Sequence, residues 1–237
     1  MLLEIIDRLL YIIFPRHCPC CDEITLNNAE ICEECETKLL KMRLKNACNV
    51  CGLPKEECTC KKKVYLFKGI VAPFRYESAA REGVLNIKRK KSYENAKFYA
   101  HYIADDIKEK FPDVNFDYVC SVPMEKSREF EKGFNHSLEL AKYISKEIGV
   151  RYLPILNQIK KAESQHDLSY NERAKNVKGI YSVNEKYREE VAQKRILLVD
   201  DIKTSGSTLN ECAHELLLSG ADEVFCAVAA VTCKKIL

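Results

Sequence analysis

Two adjacent acidic residues stand directly before a loop of hydroxyl-bearing residues and glycine. Asp200 and Asp201 end the apolar run 196–199, which has the length and composition of a strand buried on both faces. The loop residues are Thr204, Ser205, Gly206, Ser207 and Thr208. A helical pattern begins at Leu209. Such a strand–loop–helix unit can bind an anion, because backbone N–H groups and hydroxyls converge there and the helix dipole adds partial positive charge.

The paired carboxylates would repel a phosphate, so we expect them to face another part of the same ligand. Sugar hydroxyls, with or without a divalent cation, are natural partners for carboxylates. The segment therefore predicts a site for a ribose that carries a 5-phosphate. The alternative interpretation is a buried strand followed by an ordinary acidic turn.

The first quarter of the chain is rich in cysteine, and the spacing of these residues is typical of metal ligands. Three Cys-x2-Cys pairs and one Cys-x-Cys pair are formed by Cys18, Cys21, Cys32, Cys35, Cys48, Cys51, Cys58 and Cys60, and Cys20 is additional. A tight turn at this spacing directs two thiolates at one tetrahedral zinc ion, so four pairs supply ligands for two ions. A full set of four thiolates leaves no open coordination position, so we expect structural zinc.

The pairing of these cysteines has a simple form and several alternatives. The simplest is sequential, with the first two pairs on one ion and the last two on another, but spacing also allows a crossed arrangement. The last pair is one residue shorter than the others, so Cys58 could serve alone or Cys20 could take a ligand position. The sequence thus predicts one or two zinc ions, and free thiols in a loop-rich segment are the alternative.

Charge and the start of the chain indicate the compartment. The formal net charge is +3, which predicts no partner by itself. The stretch before Pro15 has apolar residues at helical spacing but lacks a basic leader and contains Glu4 and Asp7. It is too short and too charged to span a bilayer, so we expect a helix docked on the protein rather than a membrane-surface anchor. Clustered cysteines without an export signal predict a zinc protein of the reducing cytoplasm.

The remaining pattern alternates short apolar strands with helices. Strands are expected at 116–122, 152–156, 196–200 and 224–231, with a helix at 137–148. This alternation predicts an α/β domain with a parallel sheet, whose ligands bind beyond the carboxyl ends of the strands. The basic run 61–63 marks the end of the cysteine-rich part, which places domains at 1–66 and 67–237.

The acidic pair and its loop resemble the phosphoribosyl-pyrophosphate (PRPP) motif of type I phosphoribosyltransferases. The resemblance implies that Asp200 and Asp201 hold the ribose hydroxyls, that the loop holds the 5-phosphate, and that Mg²⁺ accompanies PRPP. It also implies a type I phosphoribosyltransferase fold, here preceded by a small zinc-ribbon-like domain. Thr204 stands where hypoxanthine-type enzymes place an Asp, which argues against that purine chemistry.

The order of motifs along the chain is similar to that of the ComF competence family. Four cysteine pairs are followed by SVP, KGFNHSLELA, SQHDLSYNERAKNVKG and the PRPP motif, so the resemblance covers nearly the full length. It implies a pyrophosphate side and a loop, 164–176, that closes over PRPP. The candidate residues for these roles are Lys88, Arg128, Lys132, Gln165 and Arg173.

The chain departs from the ComF pattern at four positions. His136 replaces a usual Gln, Lys132 and Lys160 replace usual Arg residues, and Ala162 replaces a usual Thr. A lysine lacks the forked geometry with which arginine grips phosphate at two places. His136 is either an acid–base group or a plain polar residue at a helix start, and we favour the second interpretation.

The resemblance predicts a protein that binds PRPP with Mg²⁺ and transfers or senses the phosphoribosyl group in connection with DNA uptake. If active, it would be a pentosyl-transferring glycosyltransferase. The alternative is a non-catalytic adaptor that binds single-stranded DNA, and DNA-uptake proteins as partners, with a regulatory or vestigial PRPP site. Its DNA surface would combine the zinc module, the basic run 88–91 and the aromatic residues Phe74, Tyr76 and Tyr93. The sequence specifies neither the phosphoribosyl acceptor nor the oligomeric state.

Overall fold

A parallel sheet with helices on both faces forms the centre of the molecule. The computed structural model describes residues 15–25, 29–125, 133–160 and 178–233. The helices are α1 (Glu33–Lys41), α2 (Ser78–Lys90), α3 (Tyr93–Lys110), α4 (His136–Ile148), α5 (Arg188–Val191) and α6 (Ser207–Leu218). The strands are β1 (Gly69–Val71), β2 (Phe74–Arg75), β3 (Tyr118–Ser121), β4 (Leu156–Gln158), β5 (Tyr181–Val183), β6 (Arg195–Lys203) and β7 (Glu223–Val231). Short 3₁₀ turns occur at Lys55–Glu57 and Glu185–Tyr187.

The main sheet has the strand order β1-β7-β6-β3, and β2 also pairs with β7. All of these pairings are parallel. The inner strands β6 and β7 are nearly continuous runs of buried apolar residues, as expected for strands covered on both faces. The predicted α/β class with a parallel sheet is therefore confirmed, and the strands predicted at 116–122 and 224–231 correspond to β3 and β7.

Alternate residues of β6 face two different apolar cores. Ile196 and Leu198 pack with α6 and with the second group of four cysteines. Leu197 and Val199 pack with α2, α3 and α4 and with the first group. The period of two in the strand thus distributes one apolar run between two layers of helices.

Both cysteine groups lie against this sheet and its helices. Asn86 and Asn95 donate side-chain hydrogen bonds to the carbonyl oxygen of Pro19 at 3.3 and 2.8 Å. On the other side, Ile70 N–H donates to the carbonyl oxygen of Asn49 at 2.7 Å. The cysteine-rich part and the α/β part therefore share buried polar contacts as well as apolar cores.

Two strand predictions differ from the structure. The strand expected at 152–156 is reduced to a bridge between Tyr152 and Val119, and the chain then enters β4, which pairs with β5 in a separate antiparallel sheet. The strand expected to stop at Asp200 continues to Lys203, because its pairing with β7 extends to Val231. The proposed N-terminal helix before Pro15 lies outside the described residues. Among the helices that the structure describes, none is both long enough and apolar enough to cross a membrane.

Candidate functional site

The eight predicted cysteine ligands form two groups of four. Cys18, Cys21, Cys32 and Cys35 make the first group, and Cys48, Cys51, Cys58 and Cys60 make the second. Within each group the sulfur atoms lie within 4.8 Å of one another. The sequential pairing is therefore the observed one, and the shorter Cys58-x-Cys60 pair contributes both of its thiols.

The distances between sulfur atoms fit a tetrahedral zinc ion. Cys21 and Cys32 lie 3.7 Å apart, and so do Cys48 and Cys60. A tetrahedral ion with Zn–S bonds of about 2.3 Å separates its sulfur ligands by about 3.8 Å. Cys20 is not one of the four ligands of either group, although its buried thiol lies beside Cys18 and contacts the Tyr99 hydroxyl at 3.8 Å. Two four-cysteine clusters thus fit structural zinc.

Asp200 and Asp201 lie near the carboxyl end of β6 and make different contacts. Asp200 Oδ1 accepts hydrogen bonds from Ser137 Oγ at 2.8 Å and from the Asp201 N–H at 2.9 Å. Asp201 Oδ1 accepts one from the Ile202 N–H at 2.9 Å. Asp201 Oδ2 forms an ion pair with Lys88 Nζ.

The two carboxyl groups have opposite electrostatic environments. Burial, and then the neighbouring charge of Asp201, raises the pKa of Asp200 to about 7. Burial also disfavours the charged form of Asp201, but the Lys88 ammonium and then the His136 side chain outweigh burial and hold the pKa of Asp201 below its usual value. The pair therefore combines one carboxylate that stays charged with one that gains a proton near neutral pH. Carboxylate oxygens of this kind suit Mg²⁺ or sugar hydroxyls.

The loop between β6 and α6 has the predicted composition and an anion-binding shape. Gly206 has a φ of +76° and directly precedes the first residue of α6. Ser205 Oγ lies 2.9 Å from Ser207 Oγ and accepts a hydrogen bond from the Ser207 N–H at 3.2 Å. The two central serines therefore stand at the amino end of α6, where its free N–H groups and dipole favour an anion. Thr204 is exposed and Thr208 is half-buried at the two edges of the loop.

The structure places one of the five basic and polar candidates in this site. Lys88 lies in the last turn of α2, and its ammonium faces Asp201 rather than open solvent. The other four candidates, Arg128, Lys132, Gln165 and Arg173, lie outside the described residues. The loop 164–176 and Ala162 also lie outside them.

Two residues at the start of α4 belong to the site although sequence reasoning did not assign them to it. His136 begins the helix, as the favoured interpretation predicted, but its Nε2 also lies 3.7 Å from Asp201 Oδ2. Ser137 donates to Asp200. The N-cap Asn135 accepts a hydrogen bond from the Leu138 N–H at 3.2 Å and fixes this helix start beside the acid pair. The only sequence signal that could have placed these residues in the site was a polar helix start that follows the SVP motif.

Two concave regions lie near these residues. A cavity of about 350 Å³ beside the end of β3 is lined by Ser121, Pro123, Asn135 and Asn157, among others. A groove of about 800 Å³ runs between the first cysteine group and the start of α3. Its lining includes the basic and aromatic residues Arg16, His17, Lys90, Lys91, Tyr93 and Lys97 and also the acidic residues Asp22, Glu30, Glu94 and Glu147.

One residue predicted to lie on the DNA surface is buried instead. Phe74 is fully buried, with its ring packed edge-on against Tyr99 and Tyr102, so it cannot stack on a base. Tyr76 is half-buried, and Tyr93 is 52% exposed. Of the three aromatic candidates, Tyr93 alone has a largely accessible ring.

Two family models match the chain. One describes a double zinc ribbon domain and matches residues 9–64. The other describes a phosphoribosyl transferase domain and matches residues 135–235. Together with the two four-cysteine clusters and the parallel sheet, they confirm the expected fold, a phosphoribosyltransferase-type α/β domain preceded by a zinc-ribbon module.

Curated relatives share this chain's sequence over different lengths. Competence protein F of Haemophilus influenzae is 31% identical over 107 residues, which are 45% of this chain and 46% of the relative. DNA utilization protein YhgH of Escherichia coli K12 is 30% identical over 109 residues, 46% of each chain. Each of these matches thus spans about half of the relative. Competence protein ComFC of Bacillus subtilis is 24% identical over 203 residues, 81% of this chain and 79% of the relative.

Two solved structures show a limited likeness to this chain. Glutamine PRPP amidotransferase from B. subtilis is 22% identical, with a TM-score of 0.38 over 56% of this chain and 25% of that one. Adenine phosphoribosyltransferase from Saccharomyces cerevisiae is 15% identical, with a TM-score of 0.35 over 60% of this chain and 77% of that one.

The zinc-ribbon and transferase-type models match in the order that the cysteine pairs and the acidic motif predicted. Competence and DNA utilization proteins are the curated relatives. The chain is similar to members of the ComF competence family, as its order of motifs predicted.

Proposed function

We propose that this protein binds PRPP together with Mg²⁺ at the carboxyl end of β6. The observation that carries the proposal is the direct succession of an acid pair, an αL glycine and a helix amino terminus within residues 200–207. Asp200 and Asp201 would hold the ribose hydroxyls, and Thr204, Ser205, Gly206, Ser207 and Thr208 would hold the 5-phosphate. Mg²⁺ would neutralise part of the pyrophosphate charge.

The surrounding residues support the same assignment. Lys88 places positive charge beside Asp201, where an anionic ligand must approach two carboxylates, and a protonated His136 would add to it. We assign Arg128, Lys132, Gln165 and Arg173 to the pyrophosphate side and the closing loop, as the family resemblance implies. The thiols of both clusters must stay reduced to hold zinc, so we place the protein in the cytoplasm.

The chemistry open to bound PRPP is transfer of its phosphoribosyl group. A nitrogen nucleophile would form a bond to C1 of the ribose while the bond from C1 to the pyrophosphate oxygen breaks. Pyrophosphate would leave with that electron pair, and the proton of the nucleophile would pass to solvent or a basic group. The cavity of about 350 Å³ at the end of β3 is also lined by Asn135 and Leu138 at the start of α4, and it offers room for an acceptor. A protein that senses PRPP would use the same binding residues without an acceptor.

The first test is a calorimetric titration of the zinc-loaded protein with PRPP and Mg²⁺. We expect saturable binding in the wild type and at least a tenfold loss of affinity in Asp201→Asn, because the neutral amide cannot accept two hydroxyl hydrogen bonds or hold a cation equally well. The charge-removing control is Asp222→Asn at an exposed position before β7, which should bind as the wild type does. Equal affinity in wild type and Asp201→Asn would refute the site assignment.

A second candidate function is single-stranded DNA binding linked to DNA uptake. The groove beside the first cysteine group favours it, because Lys91, Lys97 and the exposed ring of Tyr93 line one continuous surface. The names of the relatives, competence and DNA utilization proteins, point to the same process. DNA-uptake proteins would then be partners.

The DNA function can be tested without disturbing the PRPP site. Lys88 is left intact because it contacts Asp201, and the variant Lys91→Gln/Lys97→Gln removes two groove charges instead. We expect the affinity for a fluorescent single-stranded oligonucleotide to fall steeply with salt, and the salt slope to be smaller in the variant. The control Lys142→Gln/Lys146→Gln removes two charges of α4 outside the groove. Identical salt slopes in all three proteins would exclude the groove as the DNA-binding surface.

A further inference from the structure

The chain segment that leaves the second cysteine cluster lies directly against the phosphate loop. This segment, residues 63–66, is called the support segment below. Lys63 Nζ donates a hydrogen bond to the carbonyl oxygen of Ser205 at 2.5 Å. The Leu66 N–H donates to Asn210 Oδ1 in the first turn of α6 at 2.7 Å. The support segment thus contacts both the loop and the helix that follows it.

Tyr65 is the centre of this contact. Its ring centroid lies 5.1 Å from Lys63 Nζ and 5.3 Å from Lys203 Nζ, so two cations contact one aromatic ring. The ring also lies against Gly206, since a Cβ placed on that glycine would be 3.4 Å from Tyr65 Cε1. Tyr65 therefore packs against the residue whose φ of +76° sets the shape of the loop.

The same tyrosine is tied to the second cluster. Its hydroxyl lies 2.9 Å from Thr59 Oγ1 and forms a hydrogen bond with it. Thr59 stands between two of the four thiols of the cluster, Cys58 and Cys60. Zinc held by these thiols would fix the backbone on both sides of Thr59 and so fix the position of the tyrosine hydroxyl.

Lys203 is a buried cation that the Tyr65 ring contacts. It is the last residue of β6 and is only 2% exposed. Among the described residues no carboxylate forms an ion pair with it. Its ammonium contacts the Tyr65 ring, and the Cys51 sulfur of the second cluster also acts favourably on its charge. A buried cation without a carboxylate needs such a partner, so the ring stabilises Lys203 directly beneath the loop.

We propose that Tyr65 is a positioning residue for the phosphate loop, and that the second cluster uses it to hold the loop in its anion-binding shape. The inference deepens the proposed function and rests on it only for the identity of the anion. An anion site of backbone N–H groups binds well when those groups already converge before the ligand arrives. Binding at the loop and zinc binding at the second cluster should therefore strengthen each other by the same factor.

Hydrogen exchange of the ligand-free protein tests the loop directly. We expect Tyr65→Ala to raise the exchange rates of backbone amides 205–209 about tenfold, which corresponds to a loss of about 1.4 kcal/mol of local stability. Tyr65→Phe keeps the ring but loses the hydrogen bond to Thr59, so its exchange rates should rise less than those of Tyr65→Ala. The neighbouring control Val64→Ala changes a side chain that is 81% exposed and should have no effect. Unchanged exchange in Tyr65→Ala, or an equal rise in Val64→Ala, would overturn the proposal.

The role of the second cluster is tested by removing one thiol from each cluster in turn. Cys58→Ser should raise exchange at 205–209 as Tyr65→Ala does, whereas Cys21→Ser in the first cluster should not. If Tyr65→Ala does not fold, Lys63→Met gives the same test by removing the hydrogen bond to the Ser205 carbonyl oxygen. Equal effects of Cys58→Ser and Cys21→Ser on the loop would contradict a link that is specific to the second cluster.

The affinity for PRPP with Mg²⁺ separates this inference from the proposed function. If the wild type binds PRPP, Tyr65→Ala should bind it about tenfold more weakly, and Tyr65→Phe, which loses only the hydrogen bond to Thr59, should show a smaller loss. A looser loop with unchanged PRPP affinity would refute the positioning role. If the wild type does not bind PRPP, the proposed function fails, and the exchange rates of the ligand-free protein still decide whether Tyr65 positions the loop.

Discussion

The acid pair shows how two neighbouring residues of one type acquire different roles. Asp201 faces Lys88 and His136, so its charge is compensated in the ligand-free protein. Asp200 faces the Ser137 hydroxyl and receives less compensation, which leaves its pKa near 7. A ligand that needs both carboxylates charged must therefore displace a proton from Asp200 below neutral pH.

The first prediction concerns this proton. The folded-state pKa of Asp200 lies above its usual value, so the folded protein retains a proton that the unfolded chain has already released. The contribution of Asp200 to stability is therefore lost as the pH rises towards 7. The affinity for PRPP and Mg²⁺ should change in the opposite sense, rising between pH 6 and 8 as Asp200 ionises.

Ser137→Ala provides the matching test. Its hydroxyl donates to the charged form of Asp200, so its removal should raise the pKa of Asp200 further and move the midpoint of the binding profile to higher pH. Titration calorimetry at several pH values measures how the PRPP affinity of each protein depends on pH. Ionisation of PRPP affects both proteins equally, so it cannot cause a difference between their midpoints. Ser145→Ala, at the far end of the same helix, should leave the midpoint unchanged. Coincident profiles for Ser137→Ala and wild type would refute this role of the hydroxyl.

At the residue scale, the sequence could predict the groups that carry the chemistry but not their partners. Asp200, Asp201 and the loop residues follow one another along the chain, so spacing alone brings them together. Lys88 and Ser137 reach them from two different helices, and nothing in their local sequence specifies that contact. The buried pair of Lys203 and Tyr65 was not predicted for the same reason.

At the scale of elements, the turn from β6 into α6 depends on one glycine. Gly206 has a φ of +76°, and a Cβ there would lie 2.9 Å from Lys203 Cε. Lys203 is buried, so its side chain has little room to move. The sequence indicated a loop of hydroxyl-bearing residues with a central glycine, but it did not indicate that a lysine fills the space behind that glycine.

The second prediction separates backbone strain from this contact. Gly149→Ala at the end of α4 adds a methyl at a φ of +69° with nothing within 4 Å, so it should cost about 1 kcal/mol of stability from strain alone. Gly206→Ala should cost more and should also weaken PRPP binding. Urea denaturation and calorimetry measure the two effects. Equal stability losses, with PRPP affinity retained in Gly206→Ala, would show that the loop tolerates a side chain at this position.

The third prediction concerns the cysteine-rich element. Cys20 and Cys21 are adjacent in sequence, but only Cys21 belongs to a cluster. Cys21→Ser should lower the zinc content from two ions per chain to one, whereas Cys20→Ser should retain two. Metal analysis of the purified proteins decides between them. Spacing predicted the eight cysteines that form the two clusters but left their pairing open, because either arrangement satisfies the same turns. A loss of zinc in Cys20→Ser would refute the assigned ligand set.

At the scale of the whole molecule, the predicted boundary near residue 66 does not separate two cores. The first cluster packs with α2 and α3, and the second packs with β1 and α6. Composition changes abruptly near residue 66, which is why the sequence predicts a division there. Packing between the two parts depends on contacts across long stretches of chain, and composition does not report them.

One buried ion pair joins these parts and gives the last prediction. Arg43, just after α1, donates two hydrogen bonds to the Asp106 carboxylate on α3, at 2.5 and 3.1 Å. Its guanidinium also lies over the rings of Phe74 and Tyr102, each at 5.4 Å. Arg43→Met should therefore lower the free energy of unfolding by about 3 kcal/mol, because it leaves Asp106 buried without its main partner.

The same variant tests whether the two parts unfold together. Because Arg43 bridges them, zinc release and loss of helical circular dichroism in urea should share one midpoint, and both should move to lower urea in Arg43→Met. The control Arg81→Met breaks an exposed ion pair with Glu82 and should change stability by less than about 0.5 kcal/mol. If only the zinc-release midpoint moved, the ribbons would be an independently unfolding unit. A shared shift would mean that zinc stabilises the sheet that carries the acid pair.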